Sequence, residues 1–131
     1  MEQLRVKLEN SLHKGFIDQH KPVSAQFKPK LLTNKKHENV LSTLLQELKT
    51  CKTFIFSVAF ITEGGLATLK TMLYDLEKIG VKGRILTSTF LSFNQPKMFK
   101  ELLKLKNVDV RLSDAKGFHS KGYIFEHENY Y

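Results

Sequence analysis

Tryptophan is absent from the sequence, and cysteine occurs once, as Cys51. A lone thiol closes no internal disulfide, and neither His nor Cys stands near it at metal-ligand spacing, which argues against a disulfide framework and a zinc module. With three prolines and seven glycines in 131 residues there is no Pro- or Gly-rich low-complexity tract, and no internal repeat is visible. Long apolar runs are missing too: none approaches the ~18 residues of a membrane span. Met1 is followed by an acidic, amphipathic stretch, not by the basic head and apolar block of a secretory leader. The expectation is a cytoplasmic protein with no membrane partner.

Acidic residues are scarce beside basic ones. Asp and Glu number 13 against 21 Lys and Arg, a formal charge of +8, and every cation except Arg5, Arg84 and Arg111 is a lysine. Such an excess favours polyanionic partners, nucleic acid first, because neutralising phosphates releases condensed counterions. Hydrophobic residues at 41% and charged ones at 26% mark a globular chain, long enough to bury about two-thirds of its unfolded surface around one core.

Periodicity divides the chain into elements. Leu4, Leu8, Leu12 and Phe16 make one narrow apolar stripe on a helix over about residues 2 to 18, which needs a partner. Residues 19 to 33, with Pro22 and Pro29, show no period and read as an extended tether. A helix follows from about Lys35 to Lys49, with Asn34 as its cap and Val40, Leu41, Leu44, Leu45 and Leu48 on its buried face. Thr53 to Phe60 is a nearly continuous apolar run, as in a central strand covered on both faces.

Thr62 can cap the next helix, which turns Leu66, Leu69, Leu73, Leu76 and Ile79 to the core and stops at Gly80. Lys82 to Thr89 is a strand. Beyond Ser92, Asn94 and Gln95, Pro96 opens a helix to about Lys106 that buries Phe99, Leu102 and Leu103. Short strands at Val108 to Leu112 and Phe118 to Phe125 complete the order. Strands separated by helices imply right-handed crossovers, hence a layered α/β/α domain with a mostly parallel central sheet. Ligands of open sheets collect outside the carboxyl ends of the strands, here near residues 87 to 95 and 113 to 117.

Some chemistry is missing from the motifs. Gly64 and Gly65 lack the spacing of a dinucleotide fingerprint, no phosphate-binding Gly-Lys-Ser/Thr loop occurs, and no two His residues stand at i, i+4. His13, His20, His37 and His127 read as solvated surface residues. Arg84, at the start of its strand, reads as half of a structural ion pair.

His119 has more informative company. In FHSKGYIF a period of two puts His119, Lys121, Tyr123 and Phe125 on one strand face. Residues two apart lie roughly 6.6 Å from each other along a strand, a distance two side chains can span when both touch one phosphoryl group. Imidazole can attack phosphorus or protonate a leaving oxygen, and an ammonium can hold the charge that builds on the non-bridging oxygens. Lys97, Lys100 and Lys104 share one face of the helix opened by Pro96, and Lys116 precedes His119 by three residues; all four suit a nucleic-acid backbone.

The stretch VRLSDAKGFHSKGYIF, preceded by FSVAFIT and GVKGRILTSTFLSFNQP, resembles the phospholipase D superfamily. More narrowly, it is similar to the phospholipase D-like domain at the amino terminus of certain bacterial helicase-like proteins. The resemblance covers about residues 29 to 128. It implies an N-terminal helix and tether over 1–28, then a phospholipase D-like domain over 29–131, half of the superfamily's usual pair. The implied activity is phosphodiester hydrolysis on DNA without metal or other cofactor: one His119 forms a phosphohistidine, a counterpart protonates the leaving oxygen, and Lys121 binds the phosphoryl oxygens.

One motif per chain implies a homodimer. The family's signature Asp is replaced by Glu126, which strand parity sets opposite His119 and which reads as a structural or solvated carboxylate. Family members continue into a Gly-Ser-x-Asn element, so the chain reads as a fragment, with helicase motifs further downstream and little activity of its own. The alternative is a catalytically incomplete module that binds DNA or dimerises for the helicase.

Overall fold

The computed structural model describes residues 2–16, 32–36, 39–89 and 96–128. The chain divides into two units, Met1–Asn39 and Val40–Tyr131. In the first, α1 (Glu2–Phe16) is the expected amphipathic helix. Its Arg5 and Glu9 pair at 2.8 Å, and Leu4, Leu8 and Leu12 are exposed. Nearly all of the expected tether, with Pro22 and Pro29, lies outside the described residues, as do the side chain of His13, all of His20 and His37, and residues 90–95. Among the described residues no helix is long and apolar enough to cross a membrane.

The second unit is α/β. Its elements run α2 (Val40–Thr50), β1 (Thr53–Val58), α3 (Glu63–Lys78), β2 (Lys82–Ser88), α4 (Pro96–Leu102), β3 (Val108–Ser113) and β4 (Lys121–Glu126). The four strands form one sheet in the order β3-β2-β1-β4. β3, β2 and β1 are parallel, and β4 joins β1 antiparallel. Two right-handed crossovers stepping the same way across a sheet leave both their helices on one side. The core accordingly gathers on one face: Phe54, Phe56 and Ile85 of the sheet meet Leu48 of α2, Leu66, Leu73 and Leu76 of α3, and Met98 and Leu102 of α4.

The opposite face carries Ile55, Arg84, Asp109, Arg111 and Ile124, all exposed. Among the described residues of this unit the arrangement is therefore two layers, not three, with the helices on one face of β1. Its unbroken apolar run hid this, because Ile55 looks like a core residue in sequence yet is 37% exposed.

Local details follow from capping and helix pitch. Thr62 caps α3, its Oγ1 accepting from the Gly65 N–H at 3.1 Å, and Gly80 takes the left-handed φ of 77° that stops it. Ile79, beyond the last turn, is 71% exposed instead of buried. α2 starts at Val40, not near Lys35; Asn34 is itself left-handed (φ 58°), well before the helix. Val40 and Leu41 stay exposed, while Leu44 and Leu48 carry the buried stripe.

α4 ends at Leu102, where the chain tightens: Lys104 N–H donates to the Glu101 carbonyl (3.3 Å) and Leu105 N–H to the Leu102 carbonyl (3.0 Å). This i to i−3 winding turns Leu105 inward. Leu102 is buried as expected, but Leu103, also expected in the core, is exposed; Met98 and Leu105 are buried in its stead, with Phe99 half-buried.

Candidate functional site

β1, β2 and β3 end at Val58, Ser88 and Ser113, and β4 begins beside them, because Lys121 pairs with Val58. The His119-x-Lys121 motif therefore enters the sheet at the carboxyl ends of the parallel strands. β4 starts at Lys121, not at Phe118, so His119 stands just outside the strand; the Ala59 N–H donates to the Ser120 carbonyl at 2.8 Å and carries the pairing up to it.

A turn delivers the motif. Ala115 N–H donates to Ser113 Oγ (3.3 Å), Phe118 N–H donates to the Ala115 carbonyl (3.2 Å), and Gly117 adopts φ 76°. That is the third position of a type II turn, which calls for a residue without a β-carbon. His119 and Lys116 are both exposed at this end.

Lys121 lies over the Phe60 ring, its Nζ 5.9 Å from the centroid, a cation–π contact that steadies a flexible ammonium. Further along the strand Tyr123 and Phe125 meet the Phe56 ring edge-on at 5.1 and 5.8 Å, which anchors β4 to the core. Phe60 and Tyr123 also border an apolar cavity of about 160 Å³ with Leu66 and Leu69.

Two buried hydroxyls, unremarked in sequence, brace the same end. Ser88 Oγ donates to the Ala59 carbonyl at 2.8 Å, and Thr87 Oγ1 reaches the same oxygen at 3.5 Å. Their signal was two hydroxyl residues following the apolar pair Ile85-Leu86 at the end of the strand. They hold the turn out of β1, against which Ser120 is bonded.

Other predicted residues are not brought together. Glu126 pairs with Thr53 at the far end of β4, roughly 17 Å along the strand from Lys121, so it is not part of the His119 site. Lys97 is bound to Glu63 of α3 at 2.8 Å. Lys104 lies past the end of α4 and shares the Glu101 carboxylate with Lys70, each at 2.5 Å. The two ammonium groups lower the Glu101 pKa to about 2, the hydrogen bond to Glu101 raises that of Lys70, and the hydrogen bond to Glu63 raises that of Lys97. Lys100 is exposed. The lysine face expected on one helix is thus divided between two elements and partly neutralised.

His127, read as solvated, is half-buried: its Nε2 lies 2.8 Å from Glu47 Oε2 and its Nδ1 3.3 Å from Thr50 Oγ1, joining α2 to the end of β4. Arg84, read as part of an ion pair, has no such partner among the described residues. Cys51 is buried, its Sγ 3.5 Å from the Leu48 carbonyl, and burial pushes its thiol pKa up, away from a nucleophile's range. Among the described residues no group of three or more His, Cys, Asp or Glu side chains is placed to hold a metal ion. No protein-family model matches the chain, and no curated protein matches it.

Proposed function

We propose that the chain is a phospholipase D-like phosphodiesterase domain of a larger helicase-like protein, acting on DNA. One observation carries the reading: the His119-x-Lys121 pair stands where the carboxyl ends of β1, β2 and β3 converge, on a braced turn, with Lys121 steadied on Phe60. An imidazole nitrogen of His119 attacks phosphorus, and the bond to the leaving oxygen breaks as the His119 of a second copy protonates that oxygen. Water then cleaves the phosphohistidine, returning the imidazole and releasing the phosphate monoester. Lys121 offsets the charge that grows on the non-bridging oxygens. Lys100 and Lys116, which have no ion-pair partner among the described residues, are the contacts to neighbouring phosphates.

The position of Glu126 favours one rival, a catalytically incomplete module that retains the fold to grip DNA or to dimerise, since the signature carboxylate is absent from the His119 site. Hydrolysis of DNA by a longer protein that contains this domain separates the two. The enzyme reading expects turnover that persists in chelator, an acid-labile phosphoryl adduct on the protein, and loss of both on His119→Asn. Full activity of that variant, or activity lost in chelator and restored by magnesium, refutes it.

A further inference from the structure

At the opposite end of the sheet from His119 the structure holds a second basic feature. A groove of about 660 Å³ is lined by Lys52, Lys82, Arg84 and Lys106, with Asn107 and Asp109 on its wall. The lysines are far apart in sequence, and the parallel register brings them together. Lys52 immediately precedes β1, Lys82 opens β2 opposite Thr53, and Lys106 precedes Asn107, whose carbonyl accepts from the Gly83 N–H at 2.9 Å. The three lysines thus form a row across the amino ends of three adjacent strands, with α-carbons spread over roughly 10 Å at ~4.8 Å per strand. Arg84 stands two residues further along β2, on the uncovered face beside Ile55 and Asp109.

Among the described residues carboxylates engage Lys52 of this row and leave the other two lysines unpaired. Asp109 is engaged by Arg111 at 3.1 Å, and Glu128 holds only Lys52, also at 3.1 Å. Glu126 is two strands away from Lys82, on the far side of Thr53. Among the described residues Lys82, Arg84 and Lys106 have no ion-pair partner. This contrasts with Lys97 and Lys104, each held by a glutamate.

We propose that this groove is a nucleic-acid backbone site, in which Lys82, Arg84 and Lys106 contact successive phosphates of a DNA strand. A row of this length exceeds one phosphoryl group, and exposed cations without carboxylate partners are the ones whose phosphate contacts release counterions at no cost in broken ion pairs. The site goes beyond the phosphodiesterase reading, since it needs neither His119 nor catalysis.

The test uses the 131-residue chain and a fluorescent 20-base-pair DNA duplex, with anisotropy titrations across a salt series. Lys82→Gln with Arg84→Gln removes two contacts, so the slope of log affinity against log salt should flatten by about 1.8, at about 0.9 per contact. Affinity at low salt should fall at least tenfold, with the circular dichroism spectrum unchanged. The paired control Lys97→Gln with Lys104→Gln should move the slope by less than one contact. An unchanged slope and affinity in the Lys82/Arg84 variant overturns the proposal, as does tight binding of pyrophosphate by a chain that binds no duplex. Loss of duplex binding in that variant beside full hydrolysis by His119→Asn would leave the groove standing and remove the phosphodiesterase reading; the converse pair of results would do the reverse.

Discussion

Gly83→Ala is the smallest change that should damage this fold. Gly83 faces the core from β2, paired with Phe54 of β1, and both are buried. A β-carbon at this position would fall within the Phe54 ring. Backbone freedom is not the issue, since the left-handed glycines among the described residues are Gly80 and Gly117; the requirement is space. The ring has little room to yield, because Phe54 is fully buried and packs against Phe56 at a tilt, centroids 5.0 Å apart, and Phe56 in turn meets Tyr123 and Phe125.

Overpacking of a filled core costs about 1–3 kcal/mol. At ~2 kcal/mol the melting temperature of a unit this size falls by roughly 8–16 °C. Phe54→Leu should relieve the clash, so the double variant should be more stable than the two single effects sum to, by about 0.5–3 kcal/mol. Urea and thermal unfolding followed by circular dichroism measure all four corners of the cycle. A Gly83→Ala variant within about 0.5 kcal/mol of wild type, or strict additivity in the double variant, refutes the reasoning.

Two further outcomes check other parts of the structure. Leu105→Ala should cost about 2–5 kcal/mol by opening a cavity, whereas Leu103→Ala, at an exposed position, should stay within about 0.5 kcal/mol; denaturant midpoints that reverse this order would restore a longer, regular α4. Glu101 is held ionised by Lys104 and Lys70, with its pKa lowered from 4.5 to about 2. Its contribution to stability is therefore complete above pH 4.5 and lost as pH falls toward 2. Wild type should be more stable than Glu101→Gln at neutral pH and converge on it in acid, and a gap that stays constant across that range would exclude the ion pairs as its cause.

The elements were readable where local chemistry decides them. Thr62 and Gly80 bracket α3 because a hydroxyl cap and a left-handed glycine act within one turn of the helix end. What escaped depends on partners distant in sequence. The apolar run from Thr53 signals a strand, but whether Ile55 is covered depends on which side the crossovers fall, and both helices lie with Phe54 and Phe56. Leu103 and Leu105 exchange roles because a change from i−4 to i−3 bonding at the end of α4 rotates the chain, and no single residue announces it.

The same distinction governs the candidate site and its charge. A two-residue period set His119 beside Lys121 in sequence, but His119 stands outside β4, so the strand period does not govern it; the turn with Ser113 and Gly117 lies just before the motif, and its place at the strand ends follows from topology. Helical spacing likewise sorted Lys97, Lys100 and Lys104 onto one face, but it counted cations without their carboxylates: Glu63, which reaches Lys97 from α3, and Glu101, only three residues before Lys104. A lysine already paired must break that contact to take up a phosphate, so its share of the net charge is largely spent. Lysines that open successive parallel strands are 24 to 30 residues apart and show no period, yet register aligns them without help from any motif. On the proposed groove reading, the cations that matter are those the sheet leaves without a carboxylate, rather than those a helix displays in greatest number.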